Sequence, residues 1–483
     1  MQQQKSKVGR NVAVMVAASV ACAITSATLM FWVPQLMSMS DFGYWRTFLL
    51  YAGFAGFAHL GLLDGALLHW SQECNPQSAS ALKRATQPLL LLHLALGLLV
   101  PILLYLPIGS QPHLHAIVIA LLMYAWAFNL LGLAQIRLQS QGRFNIVAVA
   151  MSGPGIFFLC LLAAFHRHSI SVNLILLLYL IAWCTVAAVI WLVAQFSAHP
   201  AKQDMPSASE AIKCDVLAEG LWHIQAGWPI MLANTGYGLM QAADRITVNL
   251  SRPIHDFAIY SLSQSTIYVP VAVISSISRV AFSHFAGVDE DSRVTIYTNT
   301  VRVLAFTWAI LLPYYYVVEW VVLRFLPKYA AGLPAGHVLL LSVLFLSLIS
   351  VVQANTASLA GRQRQFFAGS VVAAAFAFLS AWIGSQFFHS LIAVAWSQVV
   401  SAATWWMANE AFMLPRRLLS LRDIALVLLT FAAGTTALYC GTKISTELFL
   451  RPVLYYSIIL IPMLFLYKHS FRGLAPRLFW AKS

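Results

Sequence analysis

The chain has 483 residues, of which 60% are hydrophobic and 9% charged, against about 45–50% apolar and about 25% charged in soluble domains. A soluble globular protein is thereby excluded, and a dozen or more spans of about 20 residues each leave no room for a catalytic domain outside the bilayer. The 29 Lys and Arg against 16 Asp and Glu give +13, which in a soluble chain would suggest nucleic acid but here fits the basic cytoplasmic loops of a membrane protein, so no nucleic-acid partner is expected.

Residues 1–10 are basic and precede an apolar run from Asn11 to Met37, much longer than the roughly 7–15 residue core of a cleavable signal, so it reads as a retained first span. Further apolar runs lie near 42–68, 85–106, 114–136, 144–165, 171–196, 221–243, 257–283, 298–323, 335–358, 366–387, 389–413, 424–441 and 452–467. The expected fold is an all-α polytopic membrane protein with 12–14 transmembrane helices. With the N-terminus cytoplasmic, 21 of the 29 Lys and Arg fall on the inner side and 7 on the outer, with Arg46 just inside the outer end of span 2. This asymmetry supports the span count and places both termini in the cytoplasm.

Residues 198–219 form the longest polar interruption, with Pro200, Pro206 and charges of both signs. They read as a cytoplasmic linker between a six-helix bundle at 1–197 and a second at 220–414, with two additional helices and a cytoplasmic tail at 415–483. Two echoes support the division. Asp41-Phe42-Gly43-Tyr44 at span 2 resembles Asp256-Phe257-Ala258-Ile259-Tyr260 at span 8, and Gly142-Arg143 after span 4 resembles Gly361-Arg362 after span 10. Copies six spans apart keep one orientation, so the halves are expected to be parallel, pseudo-symmetric repeats.

The stretch Ser40-Asp-Phe-Gly-Tyr-Trp45, the Gly-rich helix through Leu60-Gly61-Leu62, and Ala243-Asp-Arg-Ile-Thr-Val-Asn-Leu-Ser-Arg-Pro-Ile-His-Asp-Phe-Ala-Ile-Tyr260 resemble the polysaccharide (O-antigen) flippases. These share a superfamily with multidrug and toxin exporters and lipid II flippases. The resemblance implies two six-helix bundles around a central cavity. It also implies alternating access that carries a polyprenyl-pyrophosphate-linked oligosaccharide across the bacterial inner membrane for surface polysaccharide biosynthesis. Membrane lipids and a polysaccharide polymerase complex are the other partners it suggests. Lipid II flippases carry arginines in the first helix; this chain has Ser19, Thr25, Ser26 and Thr28 there.

A pyrophosphate-bearing substrate calls for fixed cations, and arginine suits it because its guanidinium stays charged and forks onto phosphate oxygens. The candidates are Arg46 and Arg245 near outer span ends, Arg279 toward the inner end of span 8 and Arg302 at the start of span 9. The competing reading is that all four snorkel to an interface. Asn234, Tyr237, Gln241 and Arg245 recur at i, i+3, i+7 and i+11 on one helical face, and Gln264, Tyr268, Ser275 and Arg279 form a similar stripe on span 8. Such stripes either line a wet cavity and bind sugar hydroxyls or bond helix to helix. For coupling to a proton or cation gradient, the semi-buried carboxylates are Asp64, Glu319 and Glu410, of which Asp64 and Glu410 are retained as coupling candidates.

Other features read as structural. Most Trp fall at span ends, as an aromatic belt does; Gly53, Gly56 and Gly61 allow close approach or bending. His59 and His93 read as satisfied core residues. Six cysteines without CxxC spacing suggest neither disulfides nor zinc, and no motif calls for a cofactor or an enzyme. A cation-coupled drug or toxin exporter of the same fold is the alternative, although it would be expected to hold deep carboxylates in an otherwise neutral or acidic cavity, whereas the candidate cavity here is more cationic than anionic. A membrane polysaccharide polymerase would need a large outward loop, and the longest here are about a dozen residues.

Overall fold

Long runs of Leu, Ile, Val, Ala and Phe leave backbone polar groups no partners but one another, and the chain is accordingly helical. The computed structural model describes residues 2–72, 79–105, 112–165, 170–196, 216–267, 270–271, 290–413 and 419–444, with 450–459, 462–463 and 467 near the C-terminus. Among them there is no strand. Most of the expected linker, residues 198–215, lies outside them, as do Arg279, Tyr268 and Ser275 of the span 8 stripe.

Two compact units cover residues 1–235 and 236–483. The first contains α1 (Gln2–Leu36), α2 (Met39–Ala52), a 3-10 turn (Ala55–His59), α3 (Leu62–Gln72), α4 (Ala79–Tyr105), α5 (Pro112–Ser140), α6 (Phe144–Phe165) and α7 (Val172–Phe196). The boundary then falls within α8 (Val216–Ser251). The second unit continues with α9 (Ile254–Ser265), α10 (Glu290–Leu311), α11 (Tyr314–Phe325), α12 (Leu333–Ser347), α13 (Ala354–Leu359), α14 (Gln363–Gln386), α15 (Leu391–Ala408) and α16 (Leu421–Ile444). Among the described residues nine helical runs are long and apolar enough to cross a membrane, ten if α2 and α3 count as one bent span. The nine coincide with expected spans 1, 4, 5, 6 and 9–13.

Expected span 2 is not one straight helix. α2 and α3 are bent by 58°, because the chain leaves α2 into the 3-10 turn and then places Leu60 (φ 49°) and Gly61 (φ 89°) in the left-handed region. A left-handed Leu costs about 1–3 kcal/mol unless its surroundings impose it. They do: the Gly61 N–H donates to His59 Nδ1 at 3.0 Å, and Asn129 Nδ2 of α5 donates to the Ala55 carbonyl at 3.1 Å. Just beyond the bend α3 meets the N-terminal part of α8 almost backbone to backbone. A Cβ on Gly65 would lie 2.0 Å from the His223 carbonyl oxygen, and one on Gly227 would lie 2.0 Å from that of Gly61. α5 packs against α2, α3, α4, α6 and α7 and is the axis of the first unit, with Leu62, Ala66, Leu82, Ala134, Val147 and Ala194 in the core around it.

α12 plays the same part in the second unit. It is apolar on every side, as a helix enclosed by others must be. Every residue from Val338 to Ile349 is buried, and it packs on α9, α10, α14 by way of its continuation, α15 and α16. The two axes end alike. At Gly142 (φ 72°) the Arg143 N–H donates to the Leu138 carbonyl at 2.9 Å; at Gly361 (φ 68°) the Arg362 N–H donates to the Ala357 carbonyl at 2.9 Å. Each is a six-residue closing turn on a left-handed glycine, so the Gly-Arg echo is a repeated backbone structure, one in each unit.

Candidate substrate and coupling sites

In the second unit the polar stripe of α8 has definite surroundings. Tyr237 donates its hydroxyl to the Leu346 carbonyl at 3.2 Å, and its ring lies 5.9 Å from that of Trp405. Arg245 folds back along its own helix, Nη2 donating to the Gln241 carbonyl at 3.3 Å, while its Nε is buried without a hydrogen-bond partner. The hydrogen bonds of its neighbour Asp244 go to a hydroxyl and a backbone amide, and between the two side chains the interaction is one of charge. Asp244 Oδ2 accepts from the Tyr260 hydroxyl at 2.7 Å and Oδ1 accepts from the Arg245 backbone N–H at 2.7 Å. The Asp244–Tyr260 bond ties α8 to α9, one turn before Gln264, which is 2% exposed with Oε1 unpartnered. Asn234 lies in α8, but its side chain is outside the described residues.

A second polar group forms where α12 and α15 both give way to π-helix, at Leu348–Gln353 and Asn409–Met413. Glu410 Oε1 accepts from the Tyr297 hydroxyl of α10 and from Gln353 Nε2 at 2.9 Å; Gln353 Nε2 also donates to the Trp406 carbonyl at 3.0 Å. Asn409 Nδ2 donates to Gln353 Oε1 at 2.8 Å. Glu410 is 5% exposed, and its Oε2, like Asn409 Oδ1, is buried with no hydrogen-bond partner. Widened π turns concentrate at functional positions because they free a carbonyl and re-aim side chains. Glu410 was legible as a carboxylate in an apolar run; Tyr297, Gln353 and Asn409 were not, although Gln and Asn inside apolar runs were the available signal.

Arg302 and Glu319 each have an ion-pair partner. Arg302 of α10 is held by Asp423 of α16, with Nη2 at 2.6 Å and Nε at 3.0 Å from Oδ1. Ser420 donates to Asp423 Oδ2 at 2.5 Å. Glu319 pairs with Arg451 at 2.7 Å. In the first unit Arg46 is half-buried on α2, its guanidinium 5.9 Å from the centroid of Phe42. Asp64 is half-buried in the first turn of α3, immediately after the bend. Arg137, which charge counting treats as an ordinary inner-edge cation, is fully buried in the last turn of α5.

No protein-family model and no curated protein sequence matches the chain. Its fold matches solved structures over nearly its whole length. A lipid II flippase, MurJ, in an inward closed conformation superposes with a TM-score of 0.67 at 12% identity, covering 96% of this chain and 99% of that one. Two structures of a multidrug resistance MATE family transporter of the MOP superfamily, in different conformations, also match at 13% identity. An outward-facing one has a TM-score of 0.52 over 88% of this chain and 96% of that one, and an inward-facing one 0.53 over 81% and 98%. At such identities the likeness is one of fold.

Proposed function

We propose that the chain is a flippase that moves polyprenyl-pyrophosphate-linked oligosaccharide units across the bacterial inner membrane by alternating access, for surface polysaccharide assembly. The observation that carries this reading is the whole-chain likeness to a lipid II flippase, with a TM-score of 0.67 against 0.52 and 0.53 for the two MATE structures. Cation placement supports it. Arg245, whose Nε has no hydrogen-bond partner and whose Nη2 can exchange its Gln241 carbonyl contact for a phosphate fork, is assigned to the anionic head group, and so is Arg46, half-buried on α2. Tyr237, Gln241, Gln264 and Asn234 are assigned to sugar hydroxyls. Arg302 is already matched by Asp423, so its assigned role is to hold α10 to α16. Glu410 is the assigned coupling group because one carboxyl oxygen is fully bonded and the other is open to a proton; Asp64 is the weaker candidate. No covalent chemistry is required of any residue.

The MATE likeness gives the second reading, a cation-coupled exporter, its support. One experiment separates them: lipid-linked oligosaccharides are extracted from cells lacking the protein, and their sidedness is probed in right-side-out and inverted vesicles with a sugar-binding reagent. Single repeat units trapped on the cytoplasmic face support the flippase. Units exposed outside but never polymerised indicate a polymerase, and no accumulation favours the exporter.

A further inference from the structure

The bend between α2 and α3 carries three side chains that neither head-group binding nor coupling at Glu410 employs: His59, His93 of α4 and Asn129 of α5. Backbone atoms dictate their protonation. His93 Nδ1 lies 2.8 Å from the Leu89 carbonyl oxygen, which can only accept, so Nδ1 carries the ring proton. The Ala55 carbonyl likewise requires that Asn129 present its amino group, at 3.1 Å. That same nitrogen sits 3.3 Å from His93 Nε2, which must therefore offer a lone pair. His59 Nδ1, 3.0 Å from the Gly61 nitrogen, is the acceptor of a backbone N–H. His59 Nδ1 and His93 Nε2 can serve as these acceptors only while unprotonated.

A proton added to either ring sets N–H against N–H. At His59 it removes the acceptor of the Gly61 amide, at the left-handed residue itself. At His93 it opposes the Asn129 amino group. Asn129 is fully buried, with Oδ1 unpartnered, so turning its amide over would satisfy the imidazolium only by taking the donor from Ala55. Both losses fall on residues 55–61, the segment that makes the bend.

We propose that His59 and His93 form a proton-binding site in the first unit that locks the bend of α2 and α3 when neutral and releases it when protonated. Among the described residues the titratable groups around the pair are few. His59 and His93 interact electrostatically with each other. α5 presents the neutral Asn129, and its Tyr124 stacks with Tyr179 of α7 instead. On α4 the other cations, Lys83 and Arg84, are at least nine residues away, about 14 Å along the helix. Tyr51 on α2 and Asp64 on α3 flank the bend, and His69 on α3 turns its ring to Trp222 and His223.

The test is amide hydrogen exchange by mass spectrometry on the purified full chain in nanodiscs, at about pH 8 and about pH 4, the lower value set well below the ordinary histidine range near 6.5 because His59 Nδ1 and His93 Nε2 are engaged in their unprotonated form. Rates are corrected for intrinsic exchange. Peptides covering 51–64 should exchange about tenfold faster at the lower pH while α6 and α7 do not change. The His59→Gln/His93→Gln double variant should lose this response, because a glutamine oxygen accepts at any pH. Asn129→Leu should show fast exchange at 55–61 at both values, which keeps the test available if the double variant does not fold. An equal corrected rate at the two pH values in the unaltered chain would overturn the proposal, as would a response retained in the double variant.

Discussion

Asn409 Nδ2 donates to Gln353 Oε1 at 2.8 Å, joining two π-helical segments that lie in separate membrane-length helices. Gln353 in turn donates to Glu410, so the carboxyl group is held by side chains that are themselves oriented. Glu410→Gln keeps the shape and removes the titration. It is expected to leave thermal unfolding within a few degrees of the unaltered protein while lowering proton-dependent substrate movement in proteoliposomes about tenfold or more. Full transport by this variant would exclude Glu410 from coupling.

Truncating the partner of that carboxyl group should act on stability instead. Gln353→Leu removes one of the two donors to Glu410 Oε1, which keeps the Tyr297 hydroxyl, and takes from Asn409 Nδ2 its acceptor; a buried polar group left without a bond costs about 1–3 kcal/mol. A large drop in unfolding temperature in detergent is the expected outcome, and an unchanged temperature would show that water or a cation substitutes there.

The pair Arg302–Asp423 gives a prediction of a different kind. Arg302→Ala leaves a carboxylate 7% exposed without its cation and is expected to cost about 3 kcal/mol, the low end for breaking a buried pair because Arg302 is itself a quarter exposed. The exchange Arg302→Asp with Asp423→Arg should recover part of that loss. A head-group role for Arg302 predicts the opposite pattern, with normal stability and lost transport.

Arg245→Ala and Arg46→Ala should leave folding intact and trap lipid-linked units on the cytoplasmic face, and Arg245→Lys should rescue only partly, since an ammonium lacks the planar fork. Full transport by both alanine variants at normal expression would remove these residues from the head-group site.

Gly65 and Gly97 form a matched pair for the close approach of α3 and α8. Gly65→Ala would set a Cβ 2.0 Å from the His223 carbonyl oxygen, whereas Gly97 has nothing within 4 Å. Gly97→Ala should stabilise α4 slightly, by about 0.5–1 kcal/mol, while Gly65→Ala should reduce the yield of monodisperse protein sharply. Equal thermal stabilities would mean that α8 can withdraw from α3 at no cost.

Much of the architecture was legible from the chain alone, because a bilayer-length apolar run has one stable backbone solution and a left-handed Gly-Arg turn leaves its mark in two letters. The nine membrane-length helices among the described residues and the repeated closing turns follow from that local physics. Periodicity also isolated the stripe from Asn234 to Arg245, and composition marked Glu410 together with Asp64 and Glu319. What only the tertiary structure decided is which polar groups meet. Arg302 and Asp423 lie 121 residues apart, and Glu410 is bonded to Tyr297 and Gln353 across 113 and 57. Helical periodicity names the face of a helix, not the helix it faces. The bend in span 2 belongs to the same class: Gly61 permits it, but the amide of Asn129, 74 residues from the Ala55 carbonyl, holds it.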